Sequence, residues 1–144
     1  PLFLHQRDAH TDFHGMLKDI RDSVAGGVVH CFTDSKEALR AYLDLDMYIG
    51  ITGWVCDERR GQELQAIVRF IPDDRLLIET DAPYLLPRSL RPKPKSRRNK
   101  PKHLNEVLRI LAQFRGNQDP EVLARLTSQN AKRLFRIELE TVEI

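Results

Sequence analysis

The sequence predicts an α/β protein built around a parallel sheet. Four short apolar segments alternate with three segments of helical periodicity at a repeat of about twenty to thirty residues, which is typical of βα units. The apolar segments are continuously hydrophobic rather than alternating, as expected for strands buried on both faces. With 144 residues, 41% of them hydrophobic and 31% charged, the chain has the length and composition of one globular domain.

Each predicted strand is a short apolar run with a polar residue at or near its carboxyl end. The four runs are Leu2–His5, Val28–Phe32, Tyr48–Thr52 and Leu76–Glu79. Gly26 and Gly27 break the chain before the second strand, and Pro72-Asp73-Asp74 turns it into the fourth. Because the chain must return between parallel strands, a helix is expected after each of the first three.

Five segments carry apolar residues at helical spacing. They are about Ala9–Arg21, Asp34–Leu43, Arg59–Phe70, Lys102–Phe114 and Pro120–Phe135. Asp34 and Glu37 resemble a capping box that begins the second helix. Gly116 ends the fourth helix, and Asp119 is a cap for the fifth, which begins with proline. The tail from Glu138 to Ile144 is weakly specified.

The basic residues are concentrated in one segment. The stretch from Arg88 to Lys102 contains eight Lys or Arg and no acid, so the rest of the chain carries fifteen bases against 21 acids. The overlapping segment Pro87–Pro101 has no periodicity and is called the basic loop below. A concentrated positive field suits a polyanion, whereas a solvated loop that only aids solubility is the alternative.

Other sequence features concern the cellular setting. No apolar run approaches the ~20 residues of a membrane-spanning helix, so no membrane partner is expected. Cys31 and Cys56 have no CxxC spacing and give no disulfide framework, which predicts a reducing, cytoplasmic location. The chain begins at Pro1 inside an apolar run without an initiator Met, as a fragment does.

Polar side chains fall at the predicted carboxyl ends of the strands. His5 ends the first strand, His30 lies late in the second, and Glu79 and Asp81 end the fourth on one strand face. These ends converge in parallel α/β folds, and two imidazoles with a carboxylate suit Zn²⁺, Mn²⁺ or a similar ion. A strand that frays into a charged loop is the alternative, as is a core histidine. Cys31 is expected on the face opposite His30.

Six blocks of the sequence resemble the TatD family of metal-dependent deoxyribonucleases. They are Leu4–Ala9, Val29–Thr33, Ile49–Trp54, Ile71–Leu85, Arg97–Pro101 and Asn130–Phe135. The blocks cover nearly the whole chain in the family's order. The resemblance implies a TIM (β/α)₈ barrel of the metal-dependent hydrolase type, of which residues 1–144 form the C-terminal half, with strands five to eight and the C-terminal helices.

The resemblance also implies a ligand set. His5, His30 and Asp81 would bind one or two divalent ions, with Mg²⁺ expected in use and Zn²⁺ or Mn²⁺ as alternatives. Asp81 would also orient or deprotonate the attacking water, and Glu79 would hold a ligand histidine. For Glu79, a structural acid paired with an Arg is the alternative. The family's His-x-His on strand one and its Glu on strand four have no counterpart here.

Rim and loop residues are the candidates for substrate binding. Arg7 could reach a phosphate or form a surface salt bridge, and the aromatic residues could stack a base or pack against the rim. The candidates are Arg7, Trp54, Tyr84, Arg97, Arg98 and Asn99.

The implied activity is divalent-metal-dependent hydrolysis of DNA phosphodiester bonds, exonucleolytic on single-stranded ends. The alternatives are an esterase or deacylase, for example on aminoacyl-tRNA, and an inactive truncated fragment. Because a half-barrel has open sheet edges, self-association is also expected.

Overall fold

A four-stranded parallel sheet organises the chain in the computed structural model, which describes residues 1–138. The strands are β1 (Leu2–His5), β2 (Gly27–His30), β3 (Tyr48–Ile51) and β4 (Leu76–Ile78). They lie in sequential order, and each neighbouring pair is parallel. The predicted fold class is therefore confirmed. Residues 139–144, most of the weakly specified tail, lie outside the described residues.

Three helices connect the strands, and two more follow the sheet. The helices are α1 (His10–Ile20), α2 (Lys36–Asp44), α3 (Gln62–Ile67), α4 (Leu104–Phe114) and α5 (Pro120–Phe135). Short 3₁₀ turns extend α1 and α3 at their carboxyl ends and precede α4. None of the helices within residues 1–138 is both long enough and apolar enough to cross a membrane.

One face of the sheet packs against the connecting helices and α4 to form the main core. Val29, Ile49 and Leu76 lie in register across β2, β3 and β4 and are buried there. α2 contributes Leu39 and α4 contributes Leu111, both fully buried. Because successive side chains of a strand point to opposite faces, the residues next to each of these three in the chain belong to the other face.

Helix α5 covers the first half of this second face. Leu134 packs on the small cluster formed by Val28, Tyr48 and Leu77. The side-chain amide of Asn130 donates to the carbonyl oxygens of Asp73 and Leu76, at 2.7 and 2.9 Å, and so fixes the helix to the start of β4. The second half of the same face, toward the carboxyl ends of the strands, is left for polar residues.

Three sequence-predicted boundaries differ from the structure for identifiable reasons. β2 ends at His30 rather than Phe32, because Cys31 has a positive φ of 50° and leaves the extended conformation. The cap of α2 is Ser35, whose hydroxyl accepts from the Ala38 amide, so the expected cap at Asp34 is wrong.

The third difference concerns α3, which begins at Gln62 rather than near Arg59. The carboxylate of Asp57 accepts hydrogen bonds from the amides of Arg59 and Arg60, at 2.9 and 3.2 Å. This side chain holds the two residues in a turn and delays the start of the helix.

Candidate metal centre

His5 and His30 lie at the carboxyl ends of β1 and β2. The strand register pairs the two residues directly, and their ring centroids are 6.3 Å apart. The two imidazoles share the sheet face that α5 leaves open, because residues paired in register point to the same side. His30 is half-buried, whereas His5 is exposed.

The ring of His30 lies between two carboxylates from the end of β4. Its Nδ1 is 2.7 Å from Oε2 of Glu79, and its Nε2 is 2.9 Å from Oδ1 of Asp81. Glu79 and Asp81 thus face the same ring, as the two-residue period of a strand predicts. The exposed fractions of the three side chains are 14%, 11% and 27%, so this cluster is largely shielded from water.

Glu79 lies in a space that Gly50 provides. A Cβ on Gly50, in the middle of β3, would overlap the Glu79 carboxyl group. The amide of Cys31 donates to Oε2 of Glu79 at 3.1 Å, so one carboxylate oxygen contacts both this amide and the His30 ring. Burial raises the pKa of Glu79, although the contacts with His30 and with the Cys31 amide oppose that rise.

Cys31 belongs to this cluster, so the expectation that its side chain points to the opposite face is wrong. Its positive φ breaks the alternation of the strand, and Sγ lies 3.2 Å from the hydroxyl oxygen of Thr52. Burial, together with the nearby carboxylates of Asp81 and Glu79, raises the pKa of the Cys31 thiol to about 12 despite the contact with Thr52. The thiol is therefore protonated at neutral pH.

The donor atoms fit part of a divalent metal site. Two ligand atoms that share an ion at about 2.1 Å lie about 3 Å apart, close to the 2.9 Å between His30 Nε2 and Asp81 Oδ1. Across residues 1–138, however, no three His, Cys, Asp or Glu side chains converge on one point. His30 and Asp81 are in place, and His5 stands nearby without joining them.

The predicted substrate-binding residues occupy different environments. Arg7, Arg97 and Arg98 are exposed, and Tyr84 is 76% exposed beside the site. Trp54 packs against the main core, and the guanidinium of Arg60 lies 4.6 Å from the centroid of its ring. One face of Trp54 is thus covered.

Asn99 is buried, and its side chain forms hydrogen bonds with other groups of the protein. Its side-chain NH₂ donates to the Thr80 hydroxyl and to the carbonyls of Tyr84 and Leu85, at 3.2, 2.8 and 3.2 Å. Its Oδ1 accepts from the Lys100 amide at 2.8 Å. These bonds use most of the amide's capacity, so Asn99 anchors the basic loop to the segment after β4.

Gly50 and the Cys31 amide are the residues of this cluster that sequence reasoning missed. A glycine inside a predicted strand often marks a close approach of another group, and Gly50 is such a glycine. Only the strand register shows that the approaching group is Glu79. Gly50 pairs with Leu77, and Glu79 lies two residues beyond Leu77 on the same strand face.

Four parallel strands in sequential order, with imidazole and carboxylate groups at their carboxyl ends, fit a part of a (β/α)₈ barrel of the metal-dependent hydrolase type. The chain belongs to the family of TatD related DNases, whose family model matches residues 1–136. The resemblance drawn from the six sequence blocks is thus confirmed.

Curated relatives agree with this family. A protein of Salmonella typhimurium named 3′-5′ ssDNA/RNA exonuclease TatD is 54% identical over 137 residues, which are 95% of this chain and 52% of that protein. The protein of the same name from Citrobacter koseri is 55% identical with the same coverage. The chain spans about half the length of the curated relatives it matches.

Solved structures show the same fold. A TatD family hydrolase from Entamoeba histolytica superposes with a TM-score of 0.81 at 25% identity, over 93% of this chain and 50% of that one. A TatD homologue from Escherichia coli gives a TM-score of 0.81 at 26% identity, over 96% and 51%. Both alignments cover about half of a TatD-family barrel hydrolase, which supports the assignment of this chain to a partial barrel.

Proposed function

We propose that this chain forms half of the active site of a divalent-metal-dependent nuclease that acts on single-stranded nucleic acid. The observation that carries the proposal is the His30 ring held between Glu79 and Asp81 at the strand ends of a TatD-family chain. The 3′-5′ exonuclease name of the curated relatives supports single-stranded DNA or RNA as substrate and that polarity of cleavage.

In this proposal His30, Asp81 and His5 bind the metal. Glu79 fixes the ring of His30, since it contacts Nδ1 and leaves Nε2 directed toward Asp81. Asp81 also orients the attacking water or takes its proton through its second carboxylate oxygen. A bound divalent ion would lower the pKa of that water and stabilise charge on the scissile phosphate.

Family membership implies a divalent ion, and we propose Mg²⁺, with Mn²⁺ and Zn²⁺ as the alternatives to be compared. Imidazole with carboxylate accommodates all three, so the donor atoms alone do not rank them. The remaining ligands would come from a region outside the 144 residues, in line with the half-length match to the relatives. We further propose that residues 1–144 are the C-terminal portion of a single barrel domain that acts in the cytoplasm.

The test is metal-dependent release of nucleotides from single-stranded DNA and RNA by the complete gene product, beside a panel of esters that includes aminoacyl-tRNA. We expect release with Mg²⁺ or Mn²⁺ and loss of release with a chelator. Ester cleavage without nucleotide release would overturn the proposal in favour of the esterase alternative.

Asp81→Asn separates the chemistry from the fold. We expect a loss of at least about 10²-fold in kcat, because the variant lacks an anionic ligand and a proton acceptor. Asp12→Asn, an equal charge change at an exposed position of α1, is the control and should keep full activity. Equal activity of the two variants would remove Asp81 from its role.

A further inference from the structure

A pocket of about 450 Å³ is lined in part by the two residues that follow the candidate metal ligand Asp81. Its lining residues are Ala82, Pro83, Arg98, Asn99, Lys100 and Pro101. Ala82 and Pro83 follow Asp81 directly in the chain, so the Cα atoms of the pocket wall begin within about 8 Å of that of Asp81. Part of the pocket wall is therefore continuous in the chain with the candidate metal ligand Asp81.

The wall that carries the basic side chains is fixed to the segment that follows β4. The amide of Asn99 donates to the carbonyl of Pro83 at 2.9 Å, and its buried side chain holds the carbonyls of Tyr84 and Leu85. Arg98 and Lys100 flank this anchor, one on each side. Their backbone positions are thus set before any ligand arrives, which lowers the entropy cost of binding.

Arg98 and Lys100 differ from Arg88 and Arg91, two other cations of the basic loop. Arg88 forms an ion pair with Glu58 at 2.6 Å, and Arg91 donates to the carbonyls of Arg88 and Leu90. Within the described chain, neither Arg98 nor Lys100 has a carboxylate within 4.0 Å of its charged nitrogens. Two exposed cations that share a pocket and lack an acidic partner are suited to an anion.

We propose that Arg98 and Lys100 bind a backbone phosphate of the single-stranded nucleic acid in this pocket, next to the phosphodiester bond held at Asp81. The inference rests on the proposed function and makes it more specific. Tyr84, which is 76% exposed and adjacent to Pro83, is placed to stack the base of the same nucleotide. Arg97 does not line the pocket, although it is the immediate neighbour of Arg98.

Equilibrium binding without turnover tests the pocket. The complete gene product, with divalent metal chelated, is titrated onto a fluorescein-labelled single-stranded decathymidylate across a series of salt concentrations. Arg98→Gln and Lys100→Gln are compared with two controls in the same loop, Lys93→Gln and Lys95→Gln, each of which removes one positive charge outside the pocket.

We expect each pocket variant to weaken binding about tenfold, as the loss of a charge-assisted hydrogen bond does. Each should also lower the slope of log Kd against log salt by about 0.7, the value for one phosphate contact on a single strand. The two controls should change Kd by less than about threefold and leave the slope nearly unchanged. Thermal unfolding of all four variants checks that their folds are equal.

Equal weakening by the pocket variants and their controls would overturn the pocket and leave a diffuse basic surface. Arg98→Lys, which keeps the charge, should recover most of the affinity and the full salt slope. Because these assays contain no metal, they do not depend on catalysis. Pocket-dependent binding by a protein that releases no nucleotides would retain the phosphate site and reject the nuclease, whereas release with unchanged binding would do the reverse.

Discussion

Gly50 lies in the middle of β3, and its missing side chain leaves the space that the Glu79 carboxyl group occupies. Glu79 in turn fixes the ring of His30, so one hydrogen in place of a methyl group determines the orientation of a proposed metal ligand. The same residue-scale logic applies to Cys31, whose amide, rather than its thiol, contributes to the site.

Gly50→Ala should therefore displace Glu79 and release the His30 ring. We expect Mn²⁺ affinity of the complete gene product to fall about 10- to 100-fold, the usual cost of losing a group that orients a metal ligand. Isothermal titration calorimetry measures this without reference to turnover.

The matched control is Gly15→Ala in α1, where an added Cβ meets no atom within 4 Å. This variant should keep its metal affinity and be slightly more stable, because alanine favours a helix over glycine. Unchanged Mn²⁺ binding in Gly50→Ala would show that Glu79 does not orient His30.

At the scale of elements, two arginines hold connecting segments of the chain in place by hydrogen bonds. Arg115, at the end of α4, donates from Nη1 to the carbonyls of Val68 and Ile71 at 2.6 and 2.7 Å and from Nη2 to the Asp73 carboxylate. Arg88 ties the start of the basic loop to Glu58 through two hydrogen bonds. The guanidinium of Arg115 is nearly buried and that of Arg88 is exposed, so Arg115 should contribute more to the free energy of unfolding.

Arg115→Ala should lower the free energy of unfolding by about 2–4 kcal/mol, because the carbonyls of Val68 and Ile71 each lose a charged donor from a nearly buried guanidinium. Urea denaturation followed by circular dichroism measures the change. Arg125→Ala, at an exposed position of α5, should stay within about 0.5 kcal/mol of the parent protein. Equal stability of the two variants would contradict the anchoring role.

The ion pair of Glu58 predicts a dependence on pH. The hydrogen bond from Arg88 lowers the pKa of Glu58 from 4.5 to about 2. Because the folded-state pKa is depressed, the pair stabilises the protein above pH 4.5, and this contribution is lost as the pH falls toward 2.

The Tm difference between the parent protein and Glu58→Gln should thus be present at pH 6 and vanish near pH 2. It should be small, since the pair is exposed to solvent and screened by salt. Glu63→Gln, at another exposed position, is the reference for general effects of acid. A difference that stays constant with pH would rule out the pair.

At the scale of the whole molecule, the four-stranded sheet within residues 1–138 has β1 and β4 as its outer strands. β1 is an outer strand of the described sheet, and Phe3 on it is 60% exposed beside the ring of His30, at a centroid distance of 4.7 Å. An outer strand offers unpaired amide and carbonyl groups to another chain.

The 144-residue chain, expressed alone, should therefore self-associate at micromolar concentration. Size-exclusion chromatography with light scattering gives the mass directly. Lys18→Glu on α1, away from the strand edge, should not alter it, whereas Phe3→Lys should shift the chain toward monomer. A monomer at all concentrations would contradict the prediction.

The sequence by itself determined the order of strands and helices, the parallel sheet and the strand ends at which the polar residues gather. These features follow from local periodicity, turn residues and caps, which act over a few positions. The pairing of Glu79 with Asp81 on one face follows from the same two-residue period.

Only the tertiary structure decided which of these residues touch. His30 and Glu79 are 49 positions apart, and Asn99 reaches back 19 positions to Thr80, so no local rule relates them. The turn at Cys31 and the space at Gly50 are likewise set by packing between strands. Such contacts depend on the register of the whole sheet. Burial of the apolar strand faces fixes this register, and no single residue encodes it.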